Sequence, residues 1–314
     1  MEFALVLSLA ILTDRIFGDP KNFPHPVKLI GHVINFFEKI LFTDKNSLIR
    51  GLALCVLTLC TAGLFVVALL LISQNNFFVK IYLIYSALAW RDLKDETELI
   101  YSALLKNNLI EARKFLSFVV GRDTEKLNET EIISAVIETI SENSIDGIMS
   151  VIFFAALGNF FYGSYGMILF VWLFKAASTL DSMVGYESYK NFGKPSAKLD
   201  DILNFIPARL GGFIITLSGK NFFDAFKIFL RDRKNHKSPN SAHAESAFAG
   251  VLNIKLGGGA FYGGVFEPRP FINENAREPE IFDILRAWNL LDISCALFAV
   301  LMIGVIITAK SEFF

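Results

Sequence analysis

Residues 132–186 read IISAVIETISENSIDGIMSVIFFAALGNFFYGSYGMILFVWLFKAASTLDSMVGY. Glu138, Glu142 and Asp146 recur every four residues, so an α-helix sets three carboxylates along one slowly drifting stripe. Such a row repels itself unless something cationic lies among it. From Ile148 to Phe174 the chain then carries no charge, a run long enough to enter or cross a bilayer. Lys175 ends the run and Asp181 follows. Charges that bracket a membrane segment are costly without partners and mark a functional site by default. The plainer alternative is a solvated helix face ahead of an ordinary anchor.

Composition agrees with a membrane reading. The 314 residues are 53% hydrophobic with a net charge of −1, and mean hydropathy is +0.47. These values predict an all-α, polytopic integral membrane protein and argue against nucleic acid as a partner. The 32 phenylalanines suit lipid-facing and interfacial surfaces. Cys55, Cys60 and Cys295 sit in apolar runs without CxxC spacing, and read as small buried apolar residues, not a disulfide framework or zinc site. Glu2 stands where a signal peptide wants basic charge, so no cleavage is expected there.

Outward from the opening stretch, apolar segments fall at about 3–12, 52–72, 77–90, 148–180, 202–217 and 287–309, within one membrane-embedded domain over residues 1–314. The first is short for a span. The 148–180 segment reads as a broken hairpin and 202–217 as re-entrant. Trp90 suits an interface, and Asp292 within the last segment needs a partner. A polar helical insert covers 91–144, with two amphipathic helices and a turn at Gly121–Thr124, where Asp123 or Thr124 caps the acidic helix. Asn128-Glu129-Thr130 matches a glycosylation sequon but falls on an expected cytoplasmic helix. The proline-rich DRIFGDPKNFPHPVKLIGH (14–32) reads as a loop that holds His25 outward. Lys220–Lys237 is basic, hence cytoplasmic by the positive-inside rule. The expectation is a multi-pass protein of the inner (cytoplasmic) cell membrane with its active face on the cytoplasmic side.

Ser238-Pro239-Asn240 starts a small-residue helix, Ala242–Gly250. Gly257-Gly258-Gly259 lets backbone amides approach phosphate closely, with Lys237, His243 and Glu245 nearby in sequence. Soluble-enzyme templates such as Gly-x-Ser-x-Gly, the P-loop and HExxH are absent. Carboxylates with Asn143 suit Mg²⁺, and Lys175, Arg209 and Lys237 suit phosphate or developing negative charge. The residues alone describe a membrane enzyme for a phosphorylated substrate, with a transporter as near rival.

DRIFGDP with HPV and IGH, GRDT, ETISENSIDG, TLDSMVGY, LDDILNFIPARL, and SPN followed by AFAG and LGGG occur in order between Asp14 and Gly264. Together they resemble the adenosylcobinamide-phosphate synthases of cobalamin biosynthesis, the CobD/CbiB membrane family. A departure falls at Ala242-His243, where the family has glycine and an aromatic after SPN and a small residue. The resemblance implies ATP-dependent amide ligation of adenosylcobyric acid with 1-amino-2-propanol or its O-phosphate. On that footing Glu138, Glu142, Asp146 and Asp181 are the catalytic candidates, with Glu142, Asp146 and Asp181 as Mg²⁺ ligands. Asn143, Lys175, Arg209, Lys237, Ser238, Asn240, Gly257 and Gly258 are the candidates for substrate and phosphate. ATP and Mg²⁺ are the implied cofactors; lipid, other enzymes of the pathway and a second copy of the chain are the implied partners. The rival readings are a corrinoid carrier or sensor on the same scaffold, and an Mg²⁺-dependent membrane transferase. Asp200–Asn204 and Asp146–Ser150 fall short of the transferase motifs DDxxD and DGxxAR.

Overall fold

The computed structural model describes residues 2–19, 25–42 and 47–312. Helices follow one another as α1 (Glu2–Phe17), α2 (Pro26–Leu41), α3 (Leu48–Ile72), α4 (Phe77–Tyr85), α5 (Trp90–Leu105), α6 (Leu109–Leu116) and α7 (Glu129–Asn143). A π-helical turn, Ser144–Met149, leads into α8 (Ser150–Val184), then α9 (Lys190–Leu203), α10 (Phe205–Leu217), α11 (Phe222–Asp232) and α12 (Ser241–Leu252). Four short strands follow, β1 (Leu256–Gly257), β2 (Ala260–Tyr262), β3 (Val265–Glu267) and β4 (Phe271–Ile272), before α13 (Ile281–Glu312). The chain is a helical membrane protein. Among the described residues three helices are long and apolar enough to span: Leu48–Ile72, Glu129–Val184 and Ile281–Thr308. Phe205–Leu217 is apolar but shorter, about 20 Å at 1.5 Å per residue against a hydrocarbon core of about 30 Å.

The chain divides into two compact units: residues 1–89, 150–204 and 300–314, and residues 90–149 and 205–299. In the first unit, buried Lys80 of α4 is ion-paired with Glu2 of α1, which answers the charge that interrupts the apolar 77–90 segment. That segment ends as a helix at Tyr85. The 14–32 stretch is more helical than its prolines suggested: α1 reaches Phe17 and α2 starts at Pro26, placing Gly31 and His32 on a helix. Proline is tolerated at a first helical position, where its missing N–H would be unpaired anyway. His25 Nε2 lies 3.3 Å from Asp19 Oδ2; Pro20–Pro24 fall outside the described residues. Cys55 and Cys295 are buried as expected, whereas Cys60 is exposed.

The long α8 is not straight. Tyr162 and Gly163 leave helical geometry, Gly163 with φ +63°. A Cβ on Gly158 would overlap the Gly166 carbonyl oxygen, and Phe154 stacks on Phe174 at 4.8 Å. In a straight helix those rings would be about 30 Å apart along the axis. The charge-free run is therefore a helical hairpin with limbs at 150–161 and 164–184.

In the second unit, α7 is capped by Asn128, which accepts from Glu131 N at 3.0 Å while Glu131 Oε2 accepts from Asn128 N at 2.7 Å. This capping box replaces the expected cap at Asp123 or Thr124. The Asp123 carboxylate is instead occupied by the β2–β3 turn, accepting from Gly263 N at 3.0 Å and Gly264 N at 2.7 Å. Trp90 is buried, not interfacial. Its indole donates to Asp292 at 2.8 Å, and Trp288 donates to Thr97 at 3.0 Å. Those bonds tie α13 to α5 and give Asp292 its partner. The 220–237 stretch is mostly helix α11, which packs with α10 against α12. Small residues let α12 sit in close contact, and every residue from Ala242 to Gly250 is buried.

Candidate active site

Glu138 is the hub of the second unit's polar interior. It is almost fully buried. Oε2 lies 2.6 Å from Arg122 Nη2 and 2.7 Å from Arg269 Nη2, while Oε1 accepts from Gly257 N at 2.9 Å and Ser134 Oγ at 3.2 Å. Gly257 adopts φ +82°, a left-handed conformation that glycine reaches at no steric cost, and its amide is spent on this carboxylate. Burial opposes the charges of Arg122 and Arg269, but Glu138 beside both outweighs it and holds their pKa values above the ordinary guanidinium range.

One turn further along α7, Glu142 meets His236 and Glu245. One ligand atom from each of the three lies within 4.8 Å of the others. Glu245 is fully buried on α12; its Oε1 is 3.3 Å from Arg269 Nη1, and its Oε2 has no hydrogen-bond partner. Burial pushes the Glu245 carboxyl up, and Arg269 offsets this only in part. His236 Nδ1 accepts from Ser238 N at 3.0 Å. Burial lowers the His236 pKa, so the ring is neutral and carries its hydrogen on Nε2. With Nδ1 accepting from Ser238 N, neither ring nitrogen has a free lone pair for a metal.

A second feature also includes His236. A cleft of about 510 Å³ is lined by Arg209, Phe229, Leu230, Arg233, Lys234, His236, Ser238, Pro239 and His243. Arg209 Nη1 donates to Phe205 O at 2.7 Å and Asn240 Oδ1 at 3.2 Å. Arg233 Nη1 donates to Leu230 O at 3.1 Å. Burial, then Arg209 and Arg233, press His243 down to about 4, so it is neutral near pH 7.

The predicted residues thus separate. Glu138 and Glu142 share a face, but the π turn starting at Ser144 breaks the four-residue stripe before Asp146, and Glu142 is grouped with His236 and Glu245 instead. Asn143 Nδ2 donates back to Thr139 O at 3.0 Å. Lys175 and Asp181 belong to the first unit. There Asp200 Oδ2 accepts from Asn204 at 3.0 Å, and burial, then Asp181, raise Asp200 to about 7. Lys237 is 2.6 Å from Glu267. Ser238 Oγ accepts from Asn240 N at 3.2 Å, and Gly258 N points to Pro270 O at 3.5 Å. Gly257 is held by Glu138, so the glycine loop serves the carboxylate hub where a phosphate cradle was expected. Arg269 and His236 were missed, and Glu245 was noted only as a neighbour. A lone carboxylate in a helix of alanines is the signal that could have promoted it.

A buried carboxylate centre and a cationic cleft that share His236, on a polytopic helical scaffold, define a membrane protein with a polar interior. The model of the CobD/Cbib protein family matches residues 7–291, and the chain belongs to that family. It is 40% identical over 296 residues to Cobalamin biosynthesis protein CobD of Clostridium perfringens, covering 90% of this chain and 91% of the relative. With the CobD of Pelobacter propionicus it shares 43% identity, covering 87% and 85%. Cobalamin biosynthesis protein CbiB of Salmonella typhimurium is 36% identical, covering 96% of each chain. No solved structure matches. These relatives support a role in cobalamin biosynthesis.

Proposed function

We propose that the chain is an amide-forming ligase that joins the propionate of adenosylcobyric acid to 1-amino-2-propanol or its O-phosphate, with ATP as the energy source. Family membership supports the pathway, and the Glu142–Glu245 pair with its His236 donor supports the chemistry. A carboxylate is a poor electrophile and an ammonium has no lone pair. Transfer of the γ-phosphoryl group to a propionate oxygen, with ADP leaving, addresses the first problem. Attack by the amine nitrogen on the acyl carbon then breaks the acyl C–O bond, inorganic phosphate leaving with one nitrogen proton; before attack the ammonium gives up another. Glu142 and Glu245 take that proton, and His236 Nε2–H steadies the carboxylate that holds it. Glu138 has its acceptors engaged by two arginines, an amide and a hydroxyl, so it serves as a positioning residue for Arg269.

The donor set also fits Mg²⁺: two carboxylates, with Glu245 Oε2 buried and without a hydrogen bond. When bound, the ion would neutralise phosphate charge, with Glu142 and Glu245 as its holders.

The test is turnover on purified protein in nanodiscs with adenosylcobyric acid, ATP, Mg²⁺ and each amine, with mass spectrometry for the amide. ATP-dependent product that falls about a hundredfold or more in Glu142→Gln and in Glu245→Gln is the expected result. No product with either amine, while corrinoid still binds, would favour a carrier or sensor.

A further inference from the structure

The cleft beside His236 concentrates positive charge that the protein itself does not neutralise. Arg209, Arg233 and Lys234 line it; among the described residues their side-chain contacts are with carbonyl oxygens, an amide and the Phe205 ring, not with carboxylates. Like charges gathered without an acid are unfavourable unless an anion joins them. The cleft also borders the start of α12, whose N-cap residue Asn240 makes no side-chain cap bond. The twelve-residue helix points its positive end toward the same cleft residues. A further observation is independent of charge: His243 is 3% exposed and its Nδ1 has no hydrogen-bond partner. An orphaned buried ring nitrogen is unfavourable unless something pairs with it.

We propose that Arg209, Arg233, Lys234 and His243 form a subsite for the terminal phosphate of a reactant, with Ser238 at its edge. A phosphate dianion meets three cations, and the unpartnered His243 ring nitrogen can pair with one of its oxygens. His236 belongs both to this cleft and to the Glu142–Glu245 group. A small molecule with phosphate at one end and amine at the other can therefore reach both features across one imidazole. The subsite stands on the cleft's own residues; only the identity of the rest of the ligand rests on the ligase reading. Two sources share this chemistry, a phosphorylated amino alcohol and the γ-phosphate of a nucleotide.

The experiment is calorimetric titration of the detergent-purified full chain with inorganic phosphate, without ATP or corrinoid. Saturable binding is expected, weakened about tenfold or more in the Arg233→Gln/Lys234→Gln double variant and unchanged in Lys227→Gln, whose lysine sits 3.7 Å from Asp224. Competition by 2-aminoethyl phosphate assigns the subsite to the amine reactant, and competition by ATP alone assigns it to the nucleotide. Absence of phosphate binding, equal binding by the double variant, or competition by neither compound overturns the proposal. Phosphate binding without amide formation sinks the ligase reading alone. Amide formation without phosphate binding, and with no KM changed in the double variant, sinks the subsite alone.

Discussion

Replacing Glu138 with glutamine separates a structural carboxylate from a catalytic one. The substitution keeps side-chain shape but removes the anion between Arg122 and Arg269, whose side chains are only 16% and 13% exposed. Arg269 keeps Glu245 at 3.3 Å, whereas Arg122 loses its anionic partner. The glutamine NH₂ also turns a donor toward guanidinium donors or toward Gly257 N. Breaking one side of a buried ion pair typically costs about 3–5 kcal/mol. Because both arginines keep some solvent contact, the lower end applies, about 3 kcal/mol. At about 2–4 °C per kcal/mol for a chain of this class, the unfolding midpoint should fall by about 6–12 °C. A thermal shift assay in detergent, followed by tryptophan emission, reads this directly. Glu142→Gln provides the contrast: Glu142 faces a second carboxyl, Glu245, and no arginine is left without its partner, so the midpoint should stay within about 2 °C while turnover collapses. A drop below about 2 °C for Glu138→Gln would refute the hub.

Asp200 supplies a pH test. Its folded pKa of about 7 lies above its ordinary 3.8, so the folded state binds the proton more tightly. Its stabilising contribution is full below about pH 4 and is lost as pH rises through about 7. Asp200→Asn should therefore raise the unfolding midpoint relative to wild type at pH 8 and make no difference near pH 4; a pH-independent difference would contradict the burial argument. Asn128→Ala removes the capping box and should cost about 1 kcal/mol, read from the unfolding midpoint. Gly158→Val should cost about 3 kcal/mol or prevent assembly, because the new side chain meets the Gly166 backbone; a wild-type midpoint would show that the limbs do not touch there.

Local spacing carried much of this architecture. The apolar runs located the long helices, the amphipathic pattern located α5 and α6, and the charge-free run was legible as a broken hairpin because the stretches on either side of it, 91–144 and 220–237, both read as cytoplasmic. Half the carboxylate centre was legible too, since Glu138 and Glu142 lie one turn apart. The rest of it arrives from separate segments: Arg122 from a turn, His236 from the end of α11, Glu245 from α12 and Arg269 from between two prolines. Spacing within one helix cannot report such convergence. The loss of Asp146 from the stripe has a local cause, the π turn, which no residue type announces. Likewise the glycine triplet signalled backbone that approaches something closely, and the structure shows that Gly257 approaches Glu138.

The α8 hairpin has a consequence for sidedness. Its outbound limb, counted from Ile148 to Phe161, rises about 21 Å, short of the roughly 30 Å hydrocarbon core. A segment that enters and turns back adds nothing to the parity of membrane crossings. At the start of its outbound limb Ser150 donates to Asn204 at 2.7 Å. A cysteine placed at Tyr162 should accordingly resist impermeant thiol reagents from either side.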